Sequence, residues 1–384
     1  MTAAQVDRLV ALSAGSAAHR AHEREQTKHL VSVADWDRLS EALGSLRLLP
    51  TLGPRLIEMA DGSASAAFER RVAATLESSR RHAAFLELTG QRTIEMLRQA
   101  GIRVTPLKGP RLAAALYGDI ARRLCNDIDL LIAPAQLDDA VRVVRALGYA
   151  RPTDPVDRHG LPRLHFTLTH RHEALPPLEL HWRIHWYESR FAEERLLAPA
   201  GATADWRPDA VDELAALLLF YARDGFLALR YACDLGAWWD TRGADVRRGQ
   251  MEQLIDTYPA LAGVLRAALA VAERNVGLPT AELGGRQLRP RARERLSRRI
   301  ACAENRGGAA QRYAEMGMID GLLTPRRGLR EYLSRQLRAP GPTAGQTWLE
   351  RSRADLAHSA RVITRYGLTV LWLLRGTNRS WTPR

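Results

Sequence analysis

Asn126-Asp127-Ile128-Asp129-Leu130-Leu131-Ile132 places two acidic residues at the start of an apolar run. In a β-strand, residues i and i+2 lie on the same face of the sheet. We therefore expect Asp127 and Asp129 to point together, while Ile128 and Leu130 point into a core. Two carboxylates held this close repel each other unless a positive charge lies between them, and that charge is commonly a divalent cation. The segment thus predicts a Mg²⁺-binding strand.

The hydrophobic periodicity predicts a mixed arrangement of helices and strands around this segment. The predicted elements are, in order, a helix at 66–99, a strand at 102–107, a helix at 111–117, a strand at 125–132, a helix at 135–147, and hairpin strands at 164–170 and 178–186. The second hairpin strand alternates, so that Glu179, His181, Arg183 and His185 share its polar face. Helical spacing dominates before and after this region.

Length and charge give a coarse organisation. The chain has 384 residues and a formal net charge of +13, which is almost entirely arginine, since only Lys28 and Lys108 are lysine. The length predicts several domains. We place them at 1–100 (N-terminal helical region), 101–190 (core with the strands), 191–340 (C-terminal helical domain) and 341–384 (loop plus terminal helix).

The sequence also favours a compartment. The first residues lack the basic and apolar regions of a signal peptide, and the longest apolar run near the C-terminus, 368–374, is far shorter than the roughly 20 residues that a bilayer requires. Cys125, Cys233 and Cys302 show no metal-ligand spacing and cannot all pair with one another. We therefore expect a cytoplasmic protein without a membrane span.

Three features converge on phosphate chemistry. Lys108-Gly109 lies at a strand-to-helix turn, where a glycine permits close backbone approach and the helix N-terminus favours an anion. Lys108 adds a point charge that suits a phosphate. Asp127 and Asp129 with Glu179 supply three carboxylates from two strands, enough to hold two Mg²⁺ ions, and the third is placed to accept a proton from an attacking hydroxyl. In-line nucleotidyl transfer needs such a set.

Several ordered motifs resemble one known family. They are Leu107-Lys-Gly-Pro-Arg-Leu-Ala-Ala-Ala-Leu-Tyr117, Arg123 ahead of Asp-Ile-Asp-Leu-Leu, Ala-Leu-Gly-Tyr149, Glu179-Leu-His-Trp182 and Arg230-Tyr-Ala-Cys-Asp234. Together they look like the bacterial uncharacterised nucleotidyltransferase family, which belongs to the polymerase-β-type nucleotidyltransferase superfamily. The resemblance covers about residues 100–240.

The resemblance implies an α+β fold, in which a small polymerase-β-like mixed sheet with helices is flanked by N- and C-terminal helical regions. It implies that Asp127, Asp129 and Glu179 are the metal ligands, that Mg²⁺ or Mn²⁺ is the cofactor, and that Gly109 forms the phosphate turn. The superfamily usually has Gly or Ser after that glycine, whereas this chain has Pro110, which offers neither a hydroxyl nor an N–H. The implied activity transfers a nucleoside monophosphate, with ATP the favoured donor, to a small-molecule, peptide or protein acceptor, a natural-product intermediate among them.

Several residues keep two interpretations. The aspartate pair either binds metal or is salt-bridged to Arg122 or Arg123. Glu179 is either the third ligand or a partner of Arg183. Arg123 either contacts phosphate or neutralises the acidic cluster, and His181 either orients a ligand or is a structural histidine. Arg230 and Asp234 have the i,i+4 spacing of a helical ion pair, with bracing of the site as the alternative.

Two other functions remain open. Pro110 in the phosphate turn is the feature that favours a degenerate, non-catalytic module that binds a nucleotide or a partner. The charge of +13 and the arginines between Arg286 and Arg299 favour an RNA-directed nucleotidyltransferase. The arginine run lacks interleaved aromatic residues for base stacking, so a solvated helix face is the preferred interpretation of that segment.

Overall fold

The computed structural model of the chain describes residues 2–150, 164–172, 174–188, 190–203, 206–302, 309–339 and 347–374. The loop that the sequence predicts within 339–345 lies almost wholly outside these residues. The terminal helix predicted after it is present. The four-part domain division stays a prediction.

The N-terminal region is helical. Its helices are α1 (Ala3–Ala14), α2 (Ala17–His22), α3 (Arg24–Ser32), α4 (Trp36–Ser45), α5 (Leu49–Ala60) and the long α6 (Ala66–Gln99). Side chains cap several of these N-termini: Ser65, for example, accepts a hydrogen bond from the backbone N–H of Phe68 at the start of α6. Leucines of α1, α4 and α5 form the first apolar core, into which α6 inserts Phe68 and Val72.

A five-stranded mixed sheet follows α6. Its elements are β1 (Val104–Pro106), α7 (Pro110–Tyr117), β2 (Ile128–Ile132), α8 (Leu137–Ala146), β3 (Tyr149–Ala150), β4 (His165–His170) and β5 (Leu178–His181). In the described residues the strand order is β1-β2-β5-β4-β3. β2 and β5 are parallel, while β1–β2, β5–β4 and β4–β3 are antiparallel. The predicted α+β class with a small mixed sheet is confirmed.

One face of the sheet packs on α6 and α8. Ile128, Leu130 and Ile132 of β2 share a buried cluster with Leu178 and Leu180 of β5, as the alternation predicts. The second half of α6 contributes Leu86, Ile94 and Leu97 to the same cluster. Helix α6 therefore packs on both the N-terminal core and the sheet, so the predicted domain boundary at residue 100 separates segments that share a core.

The predicted strand at 178–186 is too long. β5 ends at His181, and the chain then turns. Glu188 explains the turn, because its carboxylate accepts hydrogen bonds from the backbone N–H groups of Ile184 and Ala192. These bonds hold the segment in a compact bend, which apolar alternation alone does not reveal.

Helices form the rest of the chain. They are α9 (Ala210–Arg223), α10 (Leu229–Arg242), α11 (Gln250–Thr257), α12 (Ala262–Val276), α13 (Thr280–Leu283), α14 (Ala292–Ala301), α15 (Ala309–Leu323), α16 (Leu329–Leu337) and α17 (Trp348–Leu374). Helices α9, α10 and α12 supply much of the largest core, which also receives Leu116 of α7 and Leu131 of β2. Leu131 points to the face of β2 opposite the α6 side, so the helical domain packs next to the polar face of the sheet.

No single helix in the described part of the chain is long and apolar enough to cross a membrane. Two consecutive helical segments, Gln250–Thr257 and Pro259–Val276, together have the length and composition of a membrane span, but the chain bends by 109° between them.

Candidate active site

Polar side chains of three adjacent strands lie on one face of the sheet. Asp129 of β2 is in register with Glu179 of β5, which is in register with Thr167 of β4. One row further on, His181 of β5 lies opposite His165 of β4. Because strand residues two apart share a face, the acidic row and the histidine row form one continuous polar patch.

The predicted carboxylates converge. Asp127, Asp129 and Glu179 each offer a carboxylate oxygen, and these oxygens lie within 4.8 Å of one another. Asp127 has no hydrogen-bond or ion-pair partner among the residues that the structure describes. Burial, and then the neighbouring charge of Asp129, raise the pKa of Asp127. An incompletely neutralised oxygen cluster is the donor chemistry that suits a hard divalent cation, so the three residues fit Mg²⁺ or Mn²⁺.

Asp129 is the most strongly held of the three. Its Oδ1 lies 2.9 Å from Nζ of Lys108 and 2.9 Å from Nε2 of His181. Burial by itself would raise the pKa of Asp129, but the Lys108 ammonium and the His181 hydrogen bond hold it well below its usual range. Asp129 is therefore ionised at neutral pH. The predicted salt bridges of the aspartates to Arg122 or Arg123 do not form.

Lys108 lies between the sheet and the helical domain. Its side chain is only 9% exposed, and its ammonium also lies over the ring of Phe220 in α9, 4.7 Å from the centroid. Burial opposes the charged form, whereas Asp129 favours it, and the net effect raises the pKa of Lys108. The predicted phosphate contact of Lys108 stays a prediction. The ammonium of Lys108 forms an ion pair with Asp129.

Glu179 contacts both histidines. Its Oε2 lies 3.1 Å from Nε2 of His181, and its Oε1 lies 3.4 Å from Nε2 of His165 and from Oγ1 of Thr167. Burial acts against ionisation, but the His181 hydrogen bond and the two imidazoles lower the pKa of Glu179. Burial, and then His181, lower the pKa of His165 to about 4, so that imidazole is neutral at pH 7. The alternative pairing of Glu179 with Arg183 does not form.

Gly109 opens the turn next to this cluster. It has φ of 88° at the N-cap of α7, a backbone conformation that L-residues with side chains rarely adopt, and a Cβ there would meet no atom within 4 Å. The chain enters the turn through the N–H of Leu107, which donates to the carbonyl of Asp129. Pro110 takes the first helical position, where a missing N–H costs no helical hydrogen bond. The turn thus brings the start of α7 beside Asp129.

The predicted Arg230–Asp234 ion pair is wrong. Asp234 instead accepts from Nε of Arg123 at 2.9 Å and from the hydroxyl of Tyr117 at 2.8 Å, whereas Arg230 lies 3.7 Å from Asp224. Both members of the Arg123–Asp234 pair are buried, with side chains 7% and 1% exposed. Arg123 therefore neutralises a carboxylate of α10 rather than the acidic cluster of Asp127, Asp129 and Glu179. The burial of Arg123 also opposes a contact with phosphate.

His165 is a residue of this polar patch that the sequence motifs did not single out. Its alternation with Phe166 and Leu168 already indicated the polar face of β4. A register for the hairpin would have placed it opposite His181. His181 itself was a predicted ligand-orienting residue or structural histidine, and it is completely buried with Nε2 between Asp129 and Glu179.

A cavity of about 640 Å³ lies on the other side of Lys108. Apolar side chains, among them Leu107, Leu116, Trp206, Phe220 and Trp238, form part of its wall, and polar and charged side chains form the rest. Charged groups in the wall are mostly paired: Glu213 accepts from Nε1 of Trp238 and from Arg242, and Arg111 bonds to Glu87. The cavity runs between α7 and helices α9 and α10.

The sequence that forms this sheet and the helices around it matches a known protein family. The profile described as "uncharacterised nucleotidyltransferase" matches residues 32–275, which include the sheet, the turn at Gly109 and helices α9 to α12. The chain belongs to this nucleotidyltransferase family. Membership supports a nucleotidyl transfer function, and the acidic cluster fits the metal site of such a transferase. The family match extends well beyond the 100–240 region that carried the sequence resemblance. No curated protein is similar enough to the chain to count as a match.

Proposed function

We propose that the protein is a Mg²⁺- or Mn²⁺-dependent nucleotidyltransferase that moves a nucleoside monophosphate, AMP from ATP, onto a small-molecule, peptide or protein acceptor in the cytoplasm. The observation that supports this most directly is the convergence of Asp127, Asp129 and Glu179 within 4.8 Å, with Asp127 unpaired in the described residues. Family membership supports the same reaction class.

The residues divide the work between metal and phosphate. Asp127, Asp129 and Glu179 would hold the metal, which when bound neutralises phosphate charge and orients the α-phosphorus for in-line attack. The long, flexible side chain of Lys108 brings an ammonium to the same place, where it suits the triphosphate oxygens. The Gly109 turn would present to those oxygens the backbone N–H groups of α7 that follow Pro110, which has no N–H itself.

Proton transfer falls to Glu179 in this proposal. Its carboxylate is ionised, because the contacts from His181 and His165 lower its pKa. The acceptor oxygen bonds to the α-phosphorus, the bond to the pyrophosphate oxygen breaks, and the acceptor proton passes to Glu179. His181 is a positioning residue, since its Nε2 lies between the carboxylates of Asp129 and Glu179.

The cavity beside Lys108 is the proposed acceptor site. It has the size of a small organic molecule, about 640 Å³, and the apolar part of its wall includes Trp206, Phe220 and Trp238. Because Lys108 contacts Asp129 and also lines this cavity, an acceptor held there lies next to the metal cluster. An acceptor with an apolar or aromatic body and a terminal hydroxyl, carboxylate or phosphate fits these features.

A radiolabel experiment tests the proposal. The full chain is incubated with Mg²⁺, ATP labelled at the α-phosphate, and a panel of acceptors that includes the protein itself. Label transfer and pyrophosphate release are measured. Asp127→Asn and Asp129→Asn should each reduce transfer at least about 100-fold, because they remove charge that stabilises the transition state. Asp256→Asn, an exposed substitution of the same type in α11, is the control and should leave transfer unchanged.

A second candidate is the non-catalytic nucleotide-binding module. Two observations favour it: Pro110 stands at the first position of α7, where the resembled superfamily has a phosphate-bonding residue, and Lys108 forms an ion pair with Asp129, one of the three carboxylates. The same preparation separates the two functions. Calorimetric binding of ATP, together with no release of pyrophosphate from ATP in the presence of any acceptor, would support the module and contradict the transferase.

A further inference from the structure

A second group of metal-binding donors lies beside the acidic cluster. His165, Glu179 and His181 each offer one ligand atom, and these atoms lie within 4.8 Å of one another. This group does not include Asp127 or Asp129. Glu179 belongs to this group and also to the acidic cluster, so the two groups share one carboxylate.

The hairpin fixes this group rigidly. His165 and His181 are directly opposite each other in the antiparallel pair of β4 and β5, and their ring centroids are 4.6 Å apart. Each imidazole presents Nε2 to a different oxygen of Glu179, at 3.4 Å for His165 and 3.1 Å for His181. The three donors therefore converge from two hydrogen-bonded strands, which is the rigid support that a metal site requires.

Burial distinguishes the two histidines. The His181 side chain is 0% exposed, whereas the His165 side chain is 27% exposed and leaves an approach from solvent. Nδ1 of each ring is buried without a hydrogen-bond partner in the described residues. Two buried ring nitrogens without a hydrogen-bond partner are costly in a site that only needs to position carboxylates.

The donor set selects a different kind of metal from the acidic cluster. Carboxylate oxygens suit Mg²⁺, whereas imidazole nitrogens suit Zn²⁺, Co²⁺ and related transition metals. Two histidines and one carboxylate also leave coordination positions open for water or a ligand. We infer that His165, His181 and Glu179 form a nitrogen-rich site for a divalent transition metal of the Zn²⁺ type, adjacent to the Mg²⁺ position and sharing Glu179 with it.

The inference deepens the proposed function, since Glu179 serves both positions, but its test is metal binding and not turnover. Zn²⁺ and Mg²⁺ are titrated separately by calorimetry into the metal-free full chain. His165→Ala should weaken Zn²⁺ binding more than about 10-fold and Mg²⁺ binding much less, because Glu179 keeps its contact with His181. Asp127→Asn should weaken Mg²⁺ binding more than about 10-fold and leave Zn²⁺ binding unchanged. His172→Ala, an exposed histidine in the same hairpin, is the matched control and should change neither metal.

Cobalt provides a spectroscopic readout of the ligand atoms. Co²⁺ bound to the wild-type chain should give the visible spectrum and the nitrogen hyperfine couplings of histidine ligation, and both should weaken in His165→Gln, which keeps a polar side chain but no imidazole. The inference is overturned if Zn²⁺ binding is unaffected by His165→Ala, if both metals weaken equally, or if Co²⁺ shows oxygen ligands alone. A histidine-ligated metal without any label transfer would refute the proposed reaction and leave this site standing.

Discussion

A single buried charge pair shows how much depends on individual residues. Arg123 follows the short turn after α7, and Asp234 lies in the middle of α10, yet their side chains meet at 2.9 Å. Burial acts against the charged form of Arg123, but Asp234 outweighs it and raises the pKa of Arg123 further. Tyr117 donates to the second oxygen of Asp234. The pair therefore ties the segment before β2 to α10 through a fully bonded carboxylate.

Asp234→Asn should destabilise the protein by about 3–5 kcal/mol, because it leaves the Arg123 charge buried without a counter-charge. The free energy of unfolding is measured by urea denaturation. Asp224→Asn is the matched control: its partner Arg230 is 3.7 Å away and both side chains are substantially exposed, so the cost should stay below about 1 kcal/mol. Equal losses for the two variants would contradict the assignment of the buried pair.

At the scale of elements, α10 owes its position to one glycine. A Cβ at Gly236 would lie 2.8 Å from the carbonyl oxygen of Ala14 and 2.8 Å from the carbonyl carbon of Gly15. These are backbone atoms at the C-terminal end of α1, so they cannot move aside as a flexible side chain would. The N-terminal helices and the helical domain approach each other closely at this crossing.

Gly236→Ala should therefore cost about 1–3 kcal/mol from overpacking, even though alanine is the better helix former. Gly367→Ala is the control, since Gly367 also lies in a helix, α17, and a Cβ there meets nothing within 4 Å. That substitution should be neutral or stabilise by up to about 1 kcal/mol. Thermal unfolding of both variants gives the comparison, and a destabilised Gly367→Ala with an unaffected Gly236→Ala would refute it.

At the scale of the whole molecule, the net charge of +13 favoured RNA as a partner. The structure gives several arginines of the 286–299 run a different role. Arg293 donates to the carbonyl of Thr324, Arg295 to that of Pro290 and Arg299 to that of Leu373. These bonds close helix ends and join α14 to its neighbours, so part of the positive charge stabilises the helical domain.

We accordingly expect weak RNA binding at physiological salt. Fluorescence anisotropy with a labelled single-stranded RNA measures it at about 50 and 200 mM salt. Nonspecific contacts made by several phosphates would lose on the order of 10³-fold in affinity over that range. Tight binding that survives at the higher salt concentration would restore the RNA-directed hypothesis.

Local pattern accounts for the convergence of the three carboxylates, whose oxygens the structure places within 4.8 Å of one another. Asp127, Asp129 and Glu179 were identified because the period of two in a strand assigns each residue to a face. Gly109 was identified because a turn into a helix needs a particular backbone conformation. The end of β5 at His181 was missed, because the bend is held by Glu188, a side chain that the strand pattern treats as one more polar position.

By itself, the sequence determined the α+β class, the family and the three carboxylates, since each rests on periodicity or on an ordered local motif. Only the tertiary structure decided that Lys108 and His181 contact Asp129, that His165 contacts Glu179, and that Arg123 rather than Arg230 pairs with Asp234. The physical reason is that partners across strands and between helices are set by register and packing. Those distances depend on the whole fold, whereas the face on which a residue lies depends only on its neighbours in the chain.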